Sequence, residues 1–331
     1  MPIDTNKKGR GPRQISRVAG GFSMEVYCGR CGVINRSDRI FCLRCRGRLF
    51  PSTNLDLSLN DFVYPGDQTN LSVVQDAGWI PALFAGHRIR GQEAAMRQYL
   101  SRSAVRVKDL SNLDLIMRSC ADQLGLGLLP DAFVVPSTSL NAAVMGSERS
   151  PVFVVTHRAL EVLDEPELGM LVGHELAHIK SRHMLYHTAA ESMATGGSLL
   201  ASFFGAGAVA YPLQMSLLAW HRESEVTADR AAVLLGGDVS VFASMLAKTL
   251  FYNGGSDGGG AVAELFRTHP EHQRRLALAR EFVSSLQYAK GRDKLRRRRE
   301  AAGSSIPFCA SCGSPKQSRA NYCGSCGRSL K

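Results

Sequence analysis

Gly173-His174-Glu175-Leu176-Ala177-His178 decides how this chain is read, because it spells H-E-x-x-H inside an apolar, helix-prone stretch. Residues four apart on a helix share a face, so His174 and His178 can aim two imidazoles at one metal ion. Glu175 then stands beside the first ligand, where zinc-dependent peptide hydrolysis needs a general base for the metal's water. With 9 His and 14 Glu in 331 residues, shuffled order gives roughly one such match per hundred chains. The residues downstream carry the decision.

An open catalytic zinc site takes three protein ligands and leaves a fourth position for water. The next stretch able to complete the set is Trp220-His221-Arg222-Glu223-Ser224-Glu225-Val226-Thr227-Ala228-Asp229-Arg230. Glu225 and Asp229 again lie four apart. Glu225 offers the third ligand, and Asp229, one turn on, can accept the spare N–H of a ligand histidine and fix its tautomer. A solvated acidic face between Arg222 and Arg230 is the plain alternative, and the preceding H-E-x-x-H helix weighs against it.

The combination of H-E-x-x-H and, about fifty residues on, E-x-x-x-D resembles the M48 family of zinc metallopeptidases. The likeness includes Arg222 ahead of Glu225, Leu140-Asn141-Ala142-Ala143 before the site, and Arg182-His183 after the first helix. It also includes Thr268-His269-Pro270 followed by Arg275, and it runs in order from about residue 55 to 285. The resemblance implies an α+β, mainly helical zincin-type domain with a small β-sheet, acting as a zinc metalloendopeptidase on protein or peptide substrates. It makes His174, His178 and Glu225 the metal ligands, Glu175 the base, and His269 an oxyanion or metal-shell residue. His183 and His187 are expected at a polar surface or cleft rim.

Both ends of the chain carry a four-cysteine set with identical spacing. Cys28, Cys31, Cys42 and Cys45 form one, and Cys309, Cys312, Cys323 and Cys326 the other. Two C-x-x-C knuckles closing a short loop offer four thiolates to one structural zinc. Each module is too small to bury a useful core, so metal is expected to fold it. Disulfides are the rival reading, disfavoured because no signal peptide precedes the polar, basic opening segment. The leftover Cys120 lies in an apolar helical stretch and is expected as packing.

The net charge of +11 is uneven. Residues 1–50 hold 11 Lys/Arg against 3 Asp/Glu, residues 291–331 hold 10 against 2, and residues 51–290 hold 19 against 24. The basic character therefore belongs to the appendages. That suits a protein partner on the ribbons; nucleic acid is disfavoured, since no aromatic platform is interleaved with the basic residues. The expected order is a disordered basic tail (1–22), an N-terminal zinc ribbon (23–50), the metallopeptidase domain (51–290), a basic linker (291–303) and a C-terminal ribbon (304–331). Three zinc ions follow, one catalytic and two structural. A zinc-ribbon adaptor with a latent peptidase domain is the alternative reading.

Within the domain, Leu110–Leu124 reads as an amphipathic helix stopped by Gly125, and residues 132–136 and 151–156 read as strands. Residues 152–156 are expected either to pair with extended substrate or to serve as a plain core strand. Residues 192–220 lack any charged side chain, yet they join the two halves of the metal site. A single membrane span there would separate those halves, so a buried helical hairpin is expected, with peripheral membrane contact as the other reading. The location expected is cytoplasmic, with or without that contact.

Overall fold

The computed structural model describes residues 25–36, 39–69, 95, 97–147, 149–184, 210–253 and 272–304. By its contacts the chain divides into two compact units. One comprises Met1–Thr53, Gly127–Leu129 and Arg296–Lys331; the other comprises Asn54–Leu126 and Pro130–Leu295.

In the first unit, β1 (Glu25–Tyr27) pairs antiparallel with β2 (Ile34–Arg36). Tight turns follow from the C-x-x-C spacing. Gly32, at φ +72, donates its N–H to Cys28 O at 2.8 Å, and Arg46, at φ 60, does the same to Cys42 O at 3.0 Å. Both turns fold the chain back so that paired cysteines face one point.

The second unit holds a four-stranded sheet and most of the helices. Its strands are β3 (Val105–Arg106), β4 (Asp131–Val135), β5 (Ala142–Ser147) and β6 (Ser150–Thr156), in the order β3-β4-β6-β5. β6 runs parallel to β4 and antiparallel to β5. Its unbroken apolar run, Val152-Phe153-Val154-Val155, fits a strand flanked on both sides. This corrects the expectation that residues 152–156 receive substrate: both ladders of β6 are occupied by neighbouring strands. Main-chain pairing with another peptide needs an edge, and among the described residues β5 is the edge strand next to it.

The helices are α1 (Ser111–Gln123), α2 (His157–Val162), α3 (Glu165–Lys180), α4 (Ala210–Gly236), α5 (Val239–Asn253), α6 (His272–Val283) and α7 (Leu286–Ser304). α1 stops where Gly125 takes φ +63. The stretch 291–303, expected as a linker, continues α7, because Lys, Arg, Glu and Ala all sustain a helix. None of the described helices is long and apolar enough to cross a membrane. The hairpin expected within 192–220 falls outside the described residues as far as 209.

α3 starts with a reciprocal cap. Asp164 accepts the Glu167 N–H at 2.9 Å, and Glu167 accepts the Asp164 N–H at 3.0 Å, with Pro166 in the first turn. The buried Glu167 also takes hydrogen bonds from Lys248 and Ser244 of α5, each at 2.6 Å. α3 packs chiefly on α4. A Cβ placed on Gly173 would lie 2.9 Å from Leu235 Cδ1, so the glycine lets the two helices approach closely beside His174. Leu168, Val172 and Leu176 are buried, and so are His174 and His178. The histidines therefore lie inside the helix packing rather than on an open face.

Candidate metal centre

α3 and α4 bring His174, His178 and Glu225 together. The two Nε2 atoms are 3.3 Å apart, His174 Nε2 is 3.4 Å from Glu225 Oε2, and His178 Nε2 is 3.3 Å from Glu225 Oε1. An ion about 2.0–2.1 Å from each atom in tetrahedral geometry needs ligand atoms about 3.3–3.4 Å apart. The two nitrogens meet that spacing, each also has one oxygen of the Glu225 carboxylate at such a distance, and all three residues are at most 5% exposed. Glu175, second in the motif, is buried next to them.

Asp229 and Arg275 stand behind this cluster. Asp229 Oδ1 lies 3.0 Å from His174 Nδ1, in an approach too bent for a full hydrogen bond. Arg275, from α6, grips both Asp229 oxygens, with Nε at 2.7 Å from Oδ2. The third guanidinium nitrogen, Nη1, is 3.7 Å from Glu225 Oε2. Burial works against the Asp229 carboxylate, but Arg275 outweighs it and holds the group below its ordinary range. Burial likewise opposes charge on His174, and Asp229 and Glu225 overcome it, pushing His174 up to about 10. His178 goes the other way, down to about 3, driven by burial and by the neighbouring His174 and His183. The acids on the two sides of His174 thus favour positive charge there, and on the Nε2 side, which faces Glu225, a metal cation can take the place of a proton.

His183 is not at a surface or rim. It is 1% exposed, and its Nδ1 lies 3.0 Å from His178 Nδ1. The end of α3 explains this placement. Arg182 adopts φ 61, Arg182 N–H reaches Ile179 O, and His183 N–H reaches His178 O at 3.0 Å. That pair of bonds is a Schellman turn, which folds the residue after the left-handed position back under the helix. On its far side, His183 Nε2 lies 3.1 Å from Asp67 Oδ2. Asp67 also accepts from Thr227 Oγ1 at 2.6 Å and Trp220 Nε1 at 2.9 Å. Burial would raise its carboxyl, yet these contacts keep it below its ordinary value. Asp67 escaped the sequence reading. Pro65-Gly66-Asp67 signals only a turn, and nothing local links it to a helix more than a hundred residues on.

The first cysteine set also converges. Cys28, Cys31, Cys42 and Cys45 have sulfurs within 4.8 Å of one another, with Cys28–Cys45 at 3.4 Å and Cys31–Cys42 at 3.6 Å. Four sulfurs about 2.3 Å from a zinc would be spaced about 3.8 Å, a separation close to those of the two measured pairs. Burial opposes a thiolate at Cys42, but backbone N–H groups of Cys45 and Arg44 and the Asn35 amide bring it down to about 6. Cys120 is buried, with its thiol pushed up to about 12, a packing residue and not a nucleophile. Cys309, Cys312, Cys323, Cys326, His187 and His269 lie outside the described residues, as does the expected tail 1–22.

Residues 108–283 match the model of Peptidase family M48. The plastoglobule-localized metallopeptidase 48, chloroplastic, of Arabidopsis thaliana is 31% identical over 199 residues, covering 58% of this chain and 56% of that protein. A Protease HtpX homolog of Ralstonia pickettii (strain 12J) is 28% identical over 213 residues, covering 52% of this chain and 74% of its own. Among solved structures, the crystal structure of S. mikatae Ste24p shares 20% identity with a TM-score of 0.36, covering 50% of this chain and 49% of that one. The chain thus spans little more than half the length of the Arabidopsis relative.

Proposed function

Because the chain belongs to peptidase family M48, we propose that it is a zinc-dependent metalloendopeptidase whose metal is held by His174, His178 and Glu225. The observation that carries this reading is the buried cluster of two imidazole nitrogens 3.3 Å apart, each 3.3–3.4 Å from one oxygen of the Glu225 carboxylate. Zinc, when bound, supplies Lewis acidity that brings water toward ionisation at neutral pH and polarises the scissile carbonyl. The chain's residues do the rest. Glu175 takes a proton from the attacking water and returns it to the leaving amine. Asp229, itself fixed by Arg275, orients His174. His269 assists at the oxyanion or around the metal.

Substrate backbone is proposed to lie along β5. Thr156 N–H donates to Asn141 O at 3.0 Å. With Ala142 opposite Val155 in the antiparallel ladder, the alternation turns the main-chain groups of Asn141, Ala143 and Met145 toward β6. Those of Ala142, Val144 and Gly146 face outward, and among the described residues no strand pairs with that edge. Ala142 N–H is met by Asn141 Oδ1 at 2.9 Å, which leaves Val144 to present the first outward N–H. Val144→Pro deletes that donor and none that holds β6. KM for a casein peptide should rise about 5–10-fold, the worth of one hydrogen bond, with kcat nearly unchanged. An unaltered KM would remove β5 from the substrate path.

The two cysteine sets are proposed to hold one structural zinc each, and the basic ribbons to dock a protein partner. Residues 192–220 are proposed to touch a lipid surface peripherally, in keeping with the plastoglobule location in the name of the Arabidopsis relative. Metal analysis of the purified full chain, with casein hydrolysis before and after chelation, tests the whole assignment. Three zinc ions per chain are expected, with cleavage lost on chelation and restored by zinc alone. Two or fewer ions, or cleavage indifferent to the chelator, would overturn it.

A further inference from the structure

His183 and Asp67 stand outside the H-E-x-x-H and E-x-x-x-D residues, yet they form a buried line leading from one proposed ligand. We infer that they are positioning residues: they hold His178 in the tautomer that coordinates through Nε2, and so make the stretch around Asp67 part of the metal centre. The inference rests on the metal site proposed above.

The direction of every proton follows from the donor inventory. A His178 that coordinates through Nε2 carries its hydrogen on Nδ1. The atom 3.0 Å away, His183 Nδ1, must then be an acceptor. A neutral histidine that accepts at Nδ1 carries its hydrogen on Nε2, and that atom lies 3.1 Å from Asp67 Oδ2. A carboxylate accepts only, so it suits the end of the line. It receives two further hydrogens, from Thr227 Oγ1 and Trp220 Nε1. The Thr227 hydroxyl oxygen in turn accepts the Tyr64 N–H at 3.1 Å, which leaves its proton for Asp67. Reversing His178 would set its bare Nδ1 against a His183 turned to donate, and a neutral His183 would then leave Asp67 facing a hydrogen-free nitrogen. A doubly protonated His183 would satisfy both neighbours, but it would place the His178 hydrogen on Nε2, the atom the metal needs.

The stretch carrying Asp67 is held firmly. The Arg230 guanidinium lies 4.8 Å from the Tyr64 ring centre and 4.9 Å from that of Phe282, and it donates to Val63 O at 3.1 Å. Gln287 donates to Asn60 O at 2.9 Å, and Lys294 pairs with Asp61 at 2.8 Å. The residues matched by the family model begin at 108, so Asp67 reaches the centre from outside that region. At the other end, the Schellman turn fixes His183, with Arg182 held in a left-handed conformation that non-glycine residues seldom adopt.

Outer partners of a ligating histidine typically change metal affinity about 10–100-fold when lost. The test uses the full chain and three variants, His183→Leu, His183→Asn and Asp67→Asn, with circular dichroism as the check on folding. Cobalt(II) reports the sites separately, since sulfur ligation adds an intense near-ultraviolet charge-transfer band that nitrogen and oxygen ligands lack. Displacement of cobalt by zinc from the nitrogen–oxygen site gives the affinity. His183→Leu should weaken zinc binding there about 10–100-fold and Asp67→Asn about tenfold, while His183→Asn, whose amide oxygen can still accept from His178, stays within about threefold. In nitrogen–proton correlation spectra of the zinc-loaded parent, His178 should carry its hydrogen on Nδ1 and His183 on Nε2. A folded His183→Leu chain that binds zinc like the parent overturns the inference. So does a parent His183 protonated at Nδ1, which also decides the matter if the leucine variant does not fold. If the parent takes no ion at that site, the metal-centre reading itself falls, and this one with it.

Discussion

Glu175→Gln should lower kcat/KM for casein by about a thousandfold while the zinc count stays at that of the parent, since general base catalysis contributes typically 10²–10⁴-fold. The amide keeps the size of the carboxylate in a site where Glu175 is 8% exposed, so packing is preserved. It cannot take up the proton of water or deliver one to the amine. The ligand triangle is formed by other residues, so metal binding is untouched. Metal analysis and peptide kinetics on one preparation separate the two effects. Parent-like cleavage by the zinc-loaded variant would exclude Glu175 as the base and leave the ribbons to carry the biology.

Arg275→Leu should cost about 3–5 kcal/mol of stability, the penalty for leaving a buried charge without its partner. Arg275 and Asp229 are both almost wholly buried, and the guanidinium meets both carboxylate oxygens. The same leucine frees Asp229 to shift, so the orientation of His174 loosens and zinc affinity falls as well. The apparent melting temperature of the metal-free chain should drop by roughly 10 °C. Arg275→Leu combined with Asp229→Leu should be less harmful than the sum of the two single changes, because no orphaned charge remains. A single variant that melts with the parent would show that the pair contributes nothing.

What could be read in advance was local. His174 and His178, and then Glu225 and Asp229, announce themselves because a spacing of four fixes a helical face whatever the fold does elsewhere. Glu165, Pro166 and Glu167 similarly mark the start of α3, and the structure adds Asp164 as its cap. Edge and centre could not be told apart in the sheet. The β-branched run of β6 is the more conspicuous, whereas Ala142-Ala143-Val144-Met145-Gly146-Ser147 has little strand propensity, and only pairing makes it the open edge. His183 is expected at a surface or rim, but α3 ends at Lys180 and a left-handed Arg182 redirects the chain inward. Asp67 and Arg275 act across long separations, by contacts with no periodic trace. Arg275 was visible only through a family resemblance, and its role came from Asp229.

The residues gathered at the centre run from Asp67 through His183 and Asp229 to Arg275, with the counter-charge for Asp229 supplied last. At a synthesis rate of about 5–20 residues per second, the 208 positions between Asp67 and Arg275 take roughly 10–40 s to be made. A nascent chain holding the H-E-x-x-H helix therefore lacks the cation that balances its buried acids until α6 has emerged. The order of the chain itself thus leaves the Arg275–Asp229 pair to close only when nearly the whole of the second unit has been made.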